Sequence, residues 1–499
     1  MKKPASQQRL IVMKFGGTSV GSAERIRQCA AIAAQAARND RIIVVVSAVA
    51  GVTDLIFRTI EATRQGDAAA TELHLKKFES LHQGLIADLF GGLDSGPAFD
   101  FAGQVFQQLR GACLALLTLR SGISLQTQDS LVALGERISA WLLAACLRHT
   151  GAESEFVPAE NAIVTDNSFG NAMPDMEATA ARCRESLLPI TTRGAVAVVA
   201  GYSGATADGH TTTLGRGGSD YSATILGAAA GAAEVWIWTD VDGVLSADPR
   251  ISPEAAILPE ISYAEAIELA YYGAKVIHPK AAYPAAQAGF PIWIKNSFRP
   301  EIAGTRITPR LTLPAAPESS PVKAVTCVTN AALITLVTRG DVHPAELFGR
   351  LFLRFGQERI DMLFATQSSP EHALGLVLRR EDCERTVKLI QNTFRMEIAQ
   401  GMVKPVSVRN DVGVIAVLGE SMKGTFGVLA RLFAAVAAAQ VSVIAVAQGA
   451  SELSICFAVP SAECAGVVRA VHNEFCGATG EVLPAPPMDA GASLVSEAS

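Results

Sequence analysis

Short runs of uninterrupted apolar residues punctuate the N-terminal part of the chain: Leu10–Met13, Ile42–Val46, Ala195–Ala200, Val235–Trp238 and Pro291–Ile294. Helical patterns alternate with them, at Ala23–Ala37, Ser130–Leu147, Ser222–Ala232 and Tyr263–Tyr271. A strand that is apolar at every position has no wet face. Each run therefore predicts a strand covered on both sides, and the alternation predicts a mostly parallel α/β sheet sandwiched by helices. The stretch from Asp54 to Arg120 reads as mostly helical and predicts an insertion or flanking layer.

The pattern breaks at Thr308–Pro321, where prolines at 309, 314, 317 and 321 predict a linker. Beyond it lies an internal repeat. Arg350-Leu351-Phe352 recurs as Arg431-Leu432-Phe433, and Gln367 with Glu371 recurs as Gln448 with Glu452, each pair 81 positions apart, as 350 and 431 are. Each copy reads strand, helix, strand, strand, helix, strand, the βαββαβ order of a ferredoxin-like unit. The expected organisation is a first domain over 8–308, two such units over 322–402 and 403–483, and a disordered Pro/Ala/Ser-rich tail over 484–499.

Composition narrows the function. The chain has 499 residues, 49% hydrophobic and 18% charged, with a net charge of −6. That balance argues for a globular protein and against a nucleic-acid or anionic-membrane partner. Charged residues interrupt each long apolar run, so no membrane span is expected, and no signal-peptide pattern follows Met1-Lys2-Lys3-Pro4. Nine cysteines are scattered singly, without a CxxC pair. They read as reduced thiols of a cytoplasmic protein.

The candidate chemistry sits in two glycine turns. Lys14-Phe15-Gly16-Gly17-Thr18-Ser19 ends the first apolar run, and Thr212–Tyr221 crowds Gly215, Arg216, Gly217, Gly218, Ser219 and Asp220 before a helical pattern. Glycines let a backbone approach a ligand, and a helix start offers N–H groups to an anion. Two such turns, each with a cation, point to a shared phosphate site. Neither GxxxxGK[ST] nor a post-strand GxGxxG occurs, so P-loop and dinucleotide-binding readings are set aside.

These two turns, together with Trp238-Thr239-Asp240-Val241-Asp242-Gly243 and Tyr272–Pro279, resemble the aspartate kinases, in the right order over roughly residues 10 to 480. The C-terminal repeats resemble that family's paired ACT domains. Their Gln-Ser-Ser-Pro-Glu and Gln-Gly-Ala-Ser-Glu loops look most like the threonine-sensitive type that is fused to homoserine dehydrogenase. The resemblance implies ATP-dependent phosphorylation of the L-aspartate β-carboxylate to 4-phospho-L-aspartate, the first step of lysine, threonine and methionine biosynthesis. It implies ATP and Mg²⁺ as cofactors, feedback by threonine or lysine, and a homodimer or homotetramer formed through the ACT domains. The chain ends without a second dinucleotide fold, so a monofunctional kinase is expected.

The resemblance also implies roles. Lys14 would meet the transferring phosphoryl group, with Phe15, Gly16 and Gly17 on the nucleotide, and Asp220 would hold the cations in register. Arg216 would clamp the α-carboxylate of aspartate beside Gly217, Gly218 and Ser219, since a guanidinium binds a carboxylate bidentately. Glu136 would pair with the substrate ammonium, and Ser47 and Thr53 would flank the substrate loop. Thr239, Asp240, Leu245, Arg250, Lys275 and Val276 match ATP-binding positions. Gly424, Gln448, Glu452, Gln367 and Glu371 are the effector candidates.

Read without the family, Lys14 and Arg250 are ordinary turn cations, Ser47 and Thr53 helix caps, and Glu136 a solvent-facing acid. The nucleophile, already ionised at neutral pH, needs no catalytic histidine or serine. No carboxylate cluster is spaced as a metal cage, so Mg²⁺ would arrive with ATP. Two departures stand out: Leu245 where the family usually has tyrosine, and Tyr202 where it usually has phenylalanine. Rival readings are a kinase-dead amino-acid sensor and a related kinase acting on glutamate, acetylglutamate or a nucleotide.

Overall fold

The computed structural model describes residues 8–91, 95–119, 122–274, 277–309, 311, 320–338, 344–368 and 373–477. The expected tail, most of the proline-rich linker, and Lys275, Val276 and Glu371 lie outside them. The chain forms two compact units. The first comprises 1–244, 259–270 and 275–313; the second comprises 245–258, 271–274 and 314–499.

The first unit begins β1 (Leu10–Phe15), α1 (Ala23–Ala36), β2 (Arg41–Val46), α2 (Val52–Arg64), α3 (Ala68–Phe90) and α4 (Gly96–Leu119). Then come α5 (Leu125–Val132), α6 (Leu134–His149), β3 (Ser154–Val157), β4 (Val164–Thr165), α7 (Met176–Arg182) and α8 (Leu188–Thr192). β5 (Val196–Ala200), β6 (Ser203–Thr206), β7 (Thr211–Thr213), α9 (Gly218–Ala230) and β8 (Glu234–Thr239) follow. The unit closes with β9 (Glu260–Ser262), α10 (Tyr263–Tyr271), α11 (Pro279–Ala288), β10 (Ile292–Asn296) and β11 (Thr305–Thr308).

Eight of these strands form one sheet in the order β3-β5-β2-β1-β8-β10-β11-β9. Every pairing in it is parallel except β10 with β11. All five apolar runs became strands of this sheet, and β1, β2 and β5 are buried almost throughout. Their side chains alternate between the two faces, and helices cover both, as continuous apolarity requires. The Asp54–Arg120 stretch is the helical layer α2–α4. The single helix expected over Ser130–Leu147 is two, parted by one turn residue, Ala133.

One expectation needs correction. Leu125–His149 is long and apolar enough to cross a membrane on length and composition, despite its charged residues. In the fold it is core: 78% of its most apolar window is buried within the protein.

The second unit carries β12 (Ala324–Val337), α12 (Pro344–Glu358), β13 (Met362–Ser368), β14 (Ala373–Arg379), α13 (Arg380–Thr393) and α14 (Arg395–Ala399). It continues with β15 (Ser407–Leu418), α15 (Val428–Ala438), β16 (Ala445–Gln448), β17 (Ser454–Pro460) and α16 (Cys464–Cys476). The strands make one antiparallel sheet, β13-β14-β12-β15-β17-β16. Two ferredoxin-like cores share it by exchanging halves of the long central strands. The end of β12 (331–337) pairs with β14, and its beginning (324–328) lies against 414–418 of β15, which pairs with β17.

Two separate hydrophobic clusters follow this division. Val325 packs with Ile415, Phe457 and Val468, whereas Ile334 packs with Leu351, Leu376 and Val403. The fourth strand of the second core thus comes from the start of β12 rather than from after α16. Neither core is a contiguous segment cut at 402. Two pieces from within the expected first domain also belong to this unit. In Leu245–Leu258, Ala247 and Ala255 join the Val325 cluster. In Tyr271–Ala274, the Tyr272 carbonyl accepts from Thr326 Oγ1 at 3.2 Å.

Candidate active site

The carboxyl ends of β1 and β2, the start of α2 and the start of α9 surround a cavity of about 360 Å³. Open parallel sheets bind ligands at this end of their strands. The lining includes Lys14, Ser47, Thr53, Glu136, Gly217, Gly218, Ser219 and Asp220, so every catalytic and substrate candidate except Arg216 is brought together, but of the other ATP candidates only Gly17 joins them.

Backbone geometry makes this convergence possible. Gly51 (φ 78°) precedes α2, and Gly217 (φ 73°) precedes α9, both in the left-handed region that favours glycine. The two helices thereby start at the cavity wall, and their N-terminal ends favour negative charge there. A Cβ on Gly17 would stand 2.8 Å from the Ala48 carbonyl, so the first glycine turn packs directly on the loop after β2. A Cβ on Gly135 would meet Val52 and Ala48 at 3.0 and 3.1 Å. Glycine at 135 therefore lets α6 approach that loop closely enough to place Glu136 in the cavity.

The electrostatics divide the cavity. Lys14 Nζ is 2.6 Å from Asp220 Oδ1, and that oxygen has no other hydrogen-bond partner. Glu136 is 3% exposed, and its Oε2 has no partner. Burial raises its pKa to about 8, with the amides of Glu136 and Ala48 offsetting part of the shift. A buried carboxyl without a cation holds its proton more tightly than one in water. The solvent-facing alternative for Glu136 is excluded by its burial.

Other candidates lie elsewhere. Phe15 is fully buried and stacks on Trp238, so its ring belongs to the core. Gly16 donates its N–H to the Trp238 carbonyl at 3.1 Å, binding the first glycine turn to the end of β8. Arg216 is exposed at the crest of its loop and does not line the cavity, although both residues after it do. Thr239 ends β8, and Asp240 follows it. The Ser297 hydroxyl joins the Thr239 carbonyl at 3.0 Å to the Ser19 hydroxyl at 2.8 Å. Leu245 and Arg250 belong to the second unit, where Arg250 pairs with Asp248 at 2.7 Å.

Among the effector candidates, Glu452 Oε2 accepts from the Gly424 N–H at 3.2 Å, tying the turn after β16 to the loop before α15. Gln448 ends β16, and Gln367 is exposed on β13. Sequence reasoning missed Asp54 in the lining and treated Tyr202 only as a departure. Asp54 adjoins Thr53 in the first turn of α2, where an acid is also an ordinary helix-start residue. Tyr202 holds φ 67°, unusual for a non-glycine residue, and burial raises its pKa to about 12.

An α/β sheet with two helix starts, a lysine–aspartate pair and a buried carboxyl without a cation thus frames one cavity suited to a small charged ligand. The chain belongs to the amino acid kinase family, whose sequence model matches residues 9–296; an ACT-domain model matches 415–475. Its relatives are aspartokinases. It is 30% identical over 468 residues to the bifunctional aspartokinase/homoserine dehydrogenase of Haemophilus influenzae, covering 93% of this chain and 56% of that protein. It is 29% identical to the lysine-sensitive aspartokinase 3 of Escherichia coli K12, covering 93% and 98%. The chain spans about half the length of the bifunctional relatives it matches. The crystal structure of E. coli aspartokinase III in complex with aspartate and ADP, in its R-state, is similar at a TM-score of 0.76 and 28% identity, over 93% and 99% of the chains. The same enzyme in complex with lysine and aspartate, in its T-state, is similar at 0.74.

Proposed function

We propose that this protein is an aspartate kinase, transferring the γ-phosphoryl group of ATP to the β-carboxylate of L-aspartate. The observation that carries the reading is the buried Glu136, whose carboxyl has no cation and whose Oε2 has no hydrogen-bond partner, lining one cavity with Lys14 and two helix starts. It fits a substrate with an ammonium at one end and a reacting carboxylate at the other. The similar E. coli structure with aspartate and ADP supports the same pair of ligands.

In this reading Glu136 pairs with the ammonium, and Ser47 and Thr53 hydrogen-bond the substrate. Arg216 turns inward from its exposed position to take the α-carboxylate. Lys14, held by Asp220, stabilises charge on the transferring phosphoryl group, while the starts of α2 and α9 favour the anionic end of the pocket. Phe15, Gly16 and Gly17 supply backbone, and Thr239 and Asp240 serve the nucleotide. Leu245, Arg250, Lys275 and Val276 keep the nucleotide roles that the resemblance gives them. Mg²⁺ enters with ATP and neutralises phosphate oxygens. Among the described residues, no group of three or more His, Cys, Asp or Glu is placed to hold a metal.

The second unit is read as a feedback module for threonine or lysine, supported by its ACT match and by the lysine complex of the E. coli enzyme. Gly424, Gln448, Glu452, Gln367 and Glu371 remain its effector candidates. Assembly into a dimer or tetramer through this unit has support in the exposed Phe426, Leu429 and Val446. A cytoplasmic setting accords with nine cysteines that form no disulfide among the described residues. The test is ADP release from ATP with L-aspartate, compared with glutamate and N-acetylglutamate. Release specific to aspartate supports the reading, and release with glutamate alone replaces it.

A further inference from the structure

Asp129, on α5, is 1% exposed and does not line the cavity. Its carboxylate accepts three hydrogen bonds, all from neutral donors. Oδ2 takes the N–H groups of Gly170 and Thr213, each at 2.8 Å, and Oδ1 takes the Thr213 hydroxyl at 2.8 Å. Burying a carboxylate is costly unless it is fully hydrogen-bonded, so a carboxylate retained here is tied to these donors. Burial also raises its pKa, and the same three hydrogen bonds oppose that shift.

The donors come from two chain segments that meet at the loop carrying Arg216. Thr213 is the last residue of β7, and its carbonyl accepts from Ala172 N at 2.9 Å. Leu214 N then bonds the carbonyl of the cavity-lining Tyr202 at 2.9 Å. Beyond that point the loop turns through Gly215 (φ 77°) and Gly217 (φ 73°), and Gly218 N–H closes it on the Gly215 carbonyl at 3.0 Å. The segment after Gly170 lies directly against it: a Cβ on Gly215 would come within 2.7 Å of Asn171 Oδ1. Lys280 bonds the same Asn171 oxygen. No hydrogen bond or ion pair of the Arg216 side chain occurs among the described residues. Its reach is therefore set by the base of its loop.

We propose that Asp129 is a positioning residue: by pinning Thr213 and Gly170 it fixes the base of the Arg216 loop and thereby sets affinity for the amino-acid substrate. The inference rests on the phosphotransfer reading of the cavity, which it deepens.

The test compares Asp129→Ala, Asp129→Asn and Thr213→Val in the full chain. It measures KM for aspartate and for ATP separately, and amide hydrogen exchange over 211–218. Asp129→Ala is expected to raise the aspartate KM about ten- to hundredfold, the scale of a small misplacement at a site, and to leave the ATP KM within about twofold. Asp129→Asn should restore most of the loss, because its carbonyl oxygen can take both N–H groups while the Thr213 hydroxyl turns to accept from the amide. Thr213→Val should speed exchange within 211–218 and not elsewhere.

A folded Asp129→Ala protein with unchanged aspartate KM, or with both KM values changed equally, overturns the proposal. So does a loss confined to the thermal midpoint. Should Asp129→Ala not fold, unchanged exchange over 211–218 in Thr213→Val overturns it. A wild-type protein inactive on aspartate removes the functional reading, and the exchange measurement still decides whether Asp129 anchors the loop.

Discussion

Lys14 Nζ lies 2.6 Å from Asp220 Oδ1, joining the end of β1 to the first turn of α9 across the cavity. The two side chains are only 11% and 20% exposed, so the pair is poorly screened and well fixed. A preorganised cation of this kind costs no reorganisation as charge develops on a transferring phosphoryl group. Lys14→Ala should lower turnover roughly 100- to 1000-fold, about 3–4 kcal/mol. Asp220→Asn should cost less, since the cation remains but is no longer held. Steady-state kcat for both variants checks this; near-normal turnover in Lys14→Ala removes its role.

Glu136 gives a pH signature. Its pKa in the fold, about 8, lies above the ordinary carboxyl value of 4.5, so the folded state favours the protonated form. The stability this contributes is full below pH 4.5 and is lost as pH rises through 8. Glu136→Gln stays neutral, so its thermal midpoint should gain on wild type from pH 5 to 8 and level off above. Aspartate affinity should move the other way. It should rise toward pH 8 in wild type, as the carboxylate that meets the ammonium forms, and stay weak and flat in Glu136→Gln. Parallel melting and substrate titrations against pH check both signs.

How much of this was legible in sequence follows from where the signal is local. Strands buried on both faces are continuous apolar runs, and β1, β2, β5, β8 and β10 were readable as such. The glycine turns were readable because close approach leaves glycine little alternative. Strand exchange in the second unit was not, because β12 and β15 each read as one strand whichever core each half joins. Glu136 and Asp129 look like common polar helix residues; only burial distinguishes them, and burial comes from chain segments far away in sequence. The linkage of Leu245–Leu258 to the second unit likewise depends on distant contacts.

Gly217 offers a steric test. A side chain there would adopt φ 73° and collide with the His278 ring, which caps α11. Gly217→Ala should lose activity on aspartate more than tenfold through strain at the start of α9, at a cost of about 1–3 kcal/mol in stability. Denaturant unfolding alongside kinetics checks the pairing of the two effects.

His472 is 1% exposed on α16, with Nε2 2.9 Å from the Ser246 hydroxyl and Nδ1 3.1 Å from that of Ser252. Burial lowers its pKa, against a smaller opposing effect from Glu254. The neutral ring thus contributes stability above the ordinary imidazole value of about 6.5, and that stability is lost as pH falls below it. His472→Ala should cost about 2–4 kcal/mol at pH 7.5 through lost packing and hydrogen bonds. The gap to wild type should narrow on acidification, as measured by urea unfolding at several pH values.

The central claim is that the cavity phosphorylates aspartate on its side-chain carboxylate. Trapping of aspartyl phosphate by hydroxylamine, with ATP and Mg²⁺, tests it most directly. The account predicts hydroxamate formation that saturates in L-aspartate and falls at least a hundredfold in Lys14→Ala. Folded protein that binds ATP yet forms no aspartyl hydroxamate would contradict it and favour an amino-acid sensor.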